Sequence, residues 1–295
     1  MLGMLFELFE IILSYLPWKE YYDICKKENI VLNFDIYFKT RTKNWIPKID
    51  NVCGMKGDYV EMVKYLYEQK DTDTKNPLLI KYAIESENFN IIAFLHRNGM
   101  QITDKKFYNE CEKGNVNIVK LFFSLDDKYV NNKYKYCDTA SQSAIKSNNV
   151  HMVEYLRSQE YVFRSFDLSY ACEHGDTEMV KCVLNSIMNH KYLRSPLEGV
   201  ADIVAKRGNL ELLKIFYSMN QTVSNEVFHQ VVCMGFFHII EYLMNVGNYT
   251  FAYNAMARAI ETKNSKMQKL ITKYKKQNRV ELVPQTRHIF IKRNE

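Results

Sequence analysis

A short motif returns eight times along this 295-residue chain. A chain that repeats itself every ~20–50 residues has few architectures open to it. Each copy reads as a small or apolar residue, a Gly or Asn, an Asn or Asp, two variable residues, and an apolar–charged–apolar cluster. The copies are CGMKGDYVEMVKYL (53–66), AIESENFNIIAFL (83–95), ECEKGNVNIVKLF (110–122), AIKSNNVHMVEYL (144–156), ACEHGDTEMVKCV (171–183), VAKRGNLELLKIF (204–216), VVCMGFFHIIEYL (231–243) and AIETKNSKMQKLI (259–271). The apolar anchor after the turn falls at Met62, Ile91, Ile118, Met152, Met179, Leu212, Ile239 and Met267. These positions lie about 29 residues apart, within the range of stacked repeats.

Local chemistry explains the motif as helix, tight turn, helix. Gly57, Gly114, Gly175, Gly208 and Gly235 sit where a first helix must end, a place that often needs positive φ. Asn148 holds the same position. Glu87 and Lys263 depart from the pattern, which predicts strained or differently built turns there. The next residue is Asp58, Asn88, Asn115, Asn149, Asp176, Asn209 or Asn264, each able to accept an orphan N–H at the start of a second helix. Phe236 breaks this series and predicts a poorly capped helix. In the second helix Met152, Val153 and Leu156 share a face with Tyr155, while Glu154 points away. Ala83, Ala144, Ala171 and Ala259 occupy one equivalent place in the first helix, where a small side chain allows close helix approach. A two-helix unit cannot bury its apolar stripe alone, so the units must stack.

Composition agrees with helices: 5 Pro and 10 Gly are too few for the turns of a large sheet protein. Lys and Arg number 40 against 34 acids. Read as a mild excess spread along the chain, this balance predicts no nucleic-acid partner, because such binders gather charge into a patch. Seven Cys without a CxxC spacing predict buried, reduced thiols in a reducing compartment. The N-terminus is apolar but carries Glu7 and Glu10 and lacks a basic leader, so no signal peptide is expected. No apolar run reaches the length of a bilayer span. A cytoplasmic location is expected, in a host cell if the source is viral, with the nucleus left open.

The GN-x-x-apolar-Val-Lys core resembles the ankyrin-repeat family, in the divergent form common in large DNA viruses of amoebae. The resemblance covers roughly residues 49–275. NGMQIT (98–103) and NVGNYTF (245–251) resemble the family's Gly-containing exit from the second helix. The family's TPLHxA signature is absent from every copy, and several periods fall short of the ankyrin length. Plain loops are therefore expected in place of hairpin fingers. What the resemblance implies is an all-α, ankyrin-like helical-hairpin solenoid of about eight repeats that binds another protein without catalysis. Two longer periods place extra residues at 124–137 and 185–197, expected as edge loops. Tyr129, Lys133, Tyr134, Lys135 and Tyr136 in the first, and Lys191, Tyr192 and Arg194 in the second, are the candidate partner contacts, because Tyr and Arg bury large area behind a polar tip.

Residues 1–48 precede the repeats. Within them MLFELFEIILSYLPWKEYYDICK resembles an F-box, with Glu7, Leu8, Ile12, Leu13, Leu16, Pro17 and Glu20 matching in order. That resemblance implies docking on the Skp1 adaptor of a ubiquitin ligase through Leu8, Ile12, Leu16 and Pro17, with the repeats selecting the substrate. A plain helical cap over the first repeat accounts for the same segment. The stretch 273–295 is basic, with residues 276–295 as a C-terminal tail; Lys273, Lys275, Lys276 and Arg279 read either as the solvated face of a final capping helix or as a weak nuclear signal or anionic contact. No phosphate loop, zinc-protease or nucleophile-elbow motif occurs, and the seven His are scattered. No metal, cofactor or enzymatic activity is expected, and a monomer is.

Overall fold

The computed structural model describes residues 17–28, 37, 48–57, 59–69, 73–131, 133–189, 197, 199–252, 255–277 and 279–280. Those residues form eighteen helices and a single parallel bridge, Phe251 to Val280. None of the described helices is long and apolar enough to cross a membrane. The chain divides into two compact units, Met1–Tyr136 and Cys137–Glu295.

In the first unit, α1 (Trp18–Lys27) is followed by α2 (Ile49–Cys53), α3 (Val60–Tyr67), α4 (Leu78–Glu85), α5 (Phe89–Arg97), α6 (Asp104–Lys113), α7 (Val116–Leu125) and α8 (Lys128–Asn131). Consecutive helices pair as hairpins: α2 with α3, α4 with α5, α6 with α7. First helix packs on first helix (α2 on α4), and second on second (α3 on α5, α5 on α7). Helix α9 (Lys133–Lys146) carries the chain across the division.

The second unit continues as α10 (Val150–Ser158), α11 (Ser165–His174), α12 (Thr177–Met188), α13 (Val200–Lys206), α14 (Leu210–Ser218), α15 (Asn225–Met234), α16 (Phe237–Val246), α17 (Ala255–Glu261) and α18 (Ser265–Lys275). The same scheme recurs there. Hairpins form at α11–α12, α13–α14, α15–α16 and α17–α18. First helices α11, α13 and α15 stack in sequence, as do the second helices α10 on α12 and α16 on α18.

The core lies where the sequence pattern places it. All eight anchors from Met62 to Met267 are buried, as are Ala83, Ala144, Ala171 and Ala259. Each buried aliphatic or aromatic side chain contributes about 1.5–3 kcal/mol against exposure. Across a hairpin that contribution is realised only when the neighbouring hairpin covers the face.

Turn chemistry follows the motif, with two corrections. Gly57, Gly114, Gly208 and Gly235 take positive φ of 135°, 74°, 73° and 76°, and Asn148 joins them at 52°. Glu87 and Lys263 adopt the same left-handed backbone, at 57° and 51°, despite their Cβ. Gly175 differs: its backbone is extended, at φ −80° and ψ 166°. Glycine is required there by proximity, since a Cβ would lie 2.9 Å from both the Ala171 carbonyl oxygen and Met179 Cγ.

Capping side chains accept helix N–H groups at Asn88 (from Ile91), Asn149 (from His151), Asp176 (from Met179), Asn209 (from Leu212) and Asn264 (from Met267). Asn115 does not cap. Its amide donates at 2.6 Å to Glu110, a buried carboxylate that also takes Lys113 at 2.6 Å, so the side chain turns back onto α6. Phe236 provides no cap, as expected. Asp58 lies outside the described residues.

Replacing Glu87 or Lys263 by Gly removes a left-handed backbone penalty of about 1–2 kcal/mol and adds roughly 0.4–1 kcal/mol of unfolded-chain freedom. Glu87→Gly and Lys263→Gly should therefore each raise the thermal midpoint modestly. Gly208→Ala should lower it, because an added Cβ is strained at φ 73° and sits 3.3 Å from the Phe236 ring. Differential scanning fluorimetry of the three variants checks the signs.

Candidate functional site

The candidate interaction surfaces are built from what the hairpin turns and exits leave uncovered. At the turns, an asparagine carries two tasks at once. Asn88 Oδ1 caps its own helix while Nδ2 donates to the Gly57 carbonyl at 2.5 Å. Asn209 Oδ1 caps α14 while Nδ2 donates to Thr177 Oγ1 at 2.9 Å. Asn148 donates to Asp176 at 2.6 Å and accepts from its backbone N–H at 3.0 Å. Aspartate or serine lacks a fixed second group of opposite polarity, which is why amides recur here. These three links each tie a turn to its neighbour and occupy polar groups there.

Arginines close two of the helix ends that lack a positive-φ turn. Arg207 donates to the carbonyls of Cys172 (2.9 Å) and Gly175 (2.7 Å) at the end of α11. Arg279 donates to the carbonyls of Met244, in the last turn of α16, and of Gly247 and Tyr249 just beyond it, and its guanidinium lies over the Tyr274 ring. Cations there satisfy orphan carbonyls and meet the negative helix end. Arg279 is thus committed to the fold and is not a free member of the basic tail.

Two hollows open between hairpins. In the first unit a groove of about 580 Å³ runs along the helix exits, lined by Tyr67, Lys75, Pro77, Met100, Gln101 and Lys106 among others, with no acidic residue in its wall among the described residues. Burial and the nearby Lys81 charge lower the Lys106 pKa. In the second unit a smaller hollow of about 210 Å³ lies between α15 and α17, lined by His229, Val232, Cys233, Ala259 and Met267 among others. Beside it Met234 and Ile260 are exposed.

The sequence-based partner contacts fare differently. Tyr129 is fully buried. Its ring stacks on Phe107 at 4.3 Å and its hydroxyl donates to the Ile102 carbonyl at 3.2 Å, so it is core and cannot anchor a partner. The expected loop at 124–137 is instead mostly helix, as α8 and the start of α9. Asp126 nucleates it, accepting the Lys128 N–H at 3.0 Å and pairing with Lys128 Nζ at 3.0 Å. The side chains of Lys133, Tyr134, Lys135 and Tyr136 lie outside the described residues, as do Lys191, Tyr192 and Arg194. Of the F-box docking set, Leu8, Ile12 and Leu16 also lie outside; Pro17 is exposed and sits at the N-cap of α1.

No group of three or more His, Cys, Asp or Glu side chains is placed to hold a metal among the described residues. Cys25, Cys53, Cys111 and Cys172 are buried, and Cys233 is exposed. Burial pushes the Cys53 and Cys172 thiols up to about 12, which leaves them protonated and unreactive at neutral pH.

One buried carboxyl escaped the sequence reading. Asp167 is fully buried on α11, where Oδ2 accepts the Arg164 N–H at 2.7 Å and Oδ1 accepts the Ser141 hydroxyl at 2.7 Å. Burial raises its pKa from 3.8 to about 6, although both hydrogen bonds favour the charged form. Because the folded value is the higher one, the native state holds the proton more tightly between about pH 4 and 6. The group therefore opposes folding above pH 6, and acidification towards pH 4 relieves this. Asp167→Asn should match or exceed wild type at pH 7, since Asn can accept from Arg164 N–H and donate to Ser141. Its advantage, roughly 2–3 kcal/mol at most, should vanish by pH 4 in denaturant titrations at each pH. Compared with protein-family models, with curated proteins and with solved structures, the chain matches none.

Proposed function

We propose that the chain is a non-catalytic protein-binding module whose helical hairpins form an ankyrin-like solenoid. The observation that carries this reading is the packing order within each unit: hairpin by hairpin, first helix on first and second on second, with turns linked by asparagine amides. Such a stack spreads its side chains over an extended surface that suits macromolecular partners better than a small substrate. The helix-exit groove of the first unit is the proposed contact, since it is open, evenly polar and apolar, and ringed by Tyr67, Lys75 and Lys106. Affinity capture from the native cell, with wild type and Lys75→Glu/Gln101→Glu in parallel, tests it. A protein retained by wild type and lost by the folded variant supports the reading. Identical capture by both, or none above background, contradicts it.

A second reading makes the chain a substrate-recognition adaptor that binds Skp1 through an F-box. What favours it is the order of Glu7, Leu8, Ile12, Leu13, Leu16, Pro17 and Glu20 in the sequence, the last of them on helix α1. Purified Skp1 retained by wild type and not by Leu16→Asp would support this reading; no retention would leave the segment as a cap.

A further inference from the structure

The chain's excess positive charge is not dispersed. Residues 262–280 hold seven Lys and Arg and no acid, and the rest of the chain holds 33 basic against 34 acidic residues. The structure places most of this charge on α18. Lys266, Lys269, Lys273 and Lys276 follow each other at spacings of 3, 4 and 3 along the helix and its cap. At 100° per residue they fall within a sector of about 80°, roughly opposite the buried Met267, Ile271 and Tyr274. All four lysines are exposed. One of them, Lys273, approaches a carboxylate, Glu241, at 3.6 Å. A shallow, open hollow on this face is lined by Ser265, Gln268, Lys269, Thr272, Lys273 and Lys276.

We propose that the outer face of α18 binds the phosphate backbone of duplex nucleic acid without reading its sequence. The stripe extends for about 15 Å at 1.5 Å per residue. Along such a length a duplex presents several phosphates, one charge per ~1.7 Å of axis. The composition of the face selects among polyanions. Its sector holds lysine without the arginine, aromatic or methionine side chains enriched at protein–protein interfaces, whereas the first-unit groove sets Tyr67 and Met100 beside its lysines. It holds no aromatic ring on which an unpaired base could stack. Its large apolar residues Met267 and Ile271 turn into the core and Leu270 is half-buried, so no fully exposed apolar side chain is offered to a bilayer. What is left is a row of hydrated point charges, the kind of contact that positions a protein on phosphates. The site is separate from the groove assigned to a protein partner and stands or falls independently of it.

Anisotropy titrations of a labelled 20-base-pair duplex, as DNA and as RNA, against the full chain at several salt concentrations test this. Four phosphate contacts predict a slope of log K against log salt of about −3 to −4 for DNA. Lys266→Gln/Lys269→Gln/Lys276→Gln should weaken binding more than tenfold at low salt and make the slope shallower by about 2–3. Lys206→Gln/Lys214→Gln, equal in kind but on other helices, should leave both unchanged. Circular dichroism confirms that each variant is folded. Absence of duplex binding at low salt, a slope shallower than about −1, or equal losses in the two variants would overturn the proposal. So would tighter binding, at the same salt, to phosphatidylserine vesicles or to a poly-glutamate peptide than to the duplex.

Discussion

A hairpin of two short helices exposes more apolar surface than it can cover, and every other feature of this chain answers that constraint. Helix α14 has nine residues and buries Leu212, Leu213 and Phe216; α13 has seven and buries Val200, Ala201, Val204 and Ala205. Neither helix is long enough to persist alone in water. Contact with the next hairpin turns these stripes into a core. The small residues at Ala83, Ala144, Ala171 and Ala259 let the helix axes approach, and the β-branched and aromatic residues around them fill the remaining space.

Burying faces between hairpins leaves open which register they adopt, because apolar contact is non-directional. Hydrogen bonds at the turns supply the direction. An amide that caps its own helix and reaches back to the preceding turn satisfies both bonds at one spacing, as Asn88 and Asn209 do. At the opposite end of the hairpins, the Tyr249 hydroxyl donates to the Val223 carbonyl at 2.6 Å and meets the Tyr217 hydroxyl at 2.5 Å. Burial raises the Tyr217 pKa, with the Tyr249 hydrogen bond acting in the same direction, so the Tyr217 hydroxyl stays neutral.

Helices, turns and anchors were legible because each is specified by residues close in sequence. The spacing of Met62 to Met267 marks the buried face, and the Asn or Asp after each turn marks a helix start. What escaped depends on contacts between distant residues. Nothing local distinguishes Gly175 from Gly208; the difference is how closely Met179 approaches. Asn115 matches the capping pattern, yet the buried Glu110 captures its amide. Tyr129 looked like an interface residue because it sits in an inserted stretch, but the aromatic pocket around Phe107 and Phe123 takes it inward. Thr103 and Ser224 cap first helices without any repeat-wide signature. Arg279 was read as tail because its three carbonyl partners lie some thirty residues away in sequence. The clustering of charge at 262–280 was present in the sequence, but an average over the whole chain conceals it.

The account holds that hairpins in one unit stabilise their neighbours. Native-state hydrogen exchange on Ile240→Ala tests this most directly. Ile240 is fully buried in α16, and its truncation costs about 2–5 kcal/mol. If hairpins are coupled, protection should fall in α15 and α16 and also in the adjoining α13 and α18. Loss confined to α15 and α16, with α13 and α18 exchanging as in wild type, would contradict it.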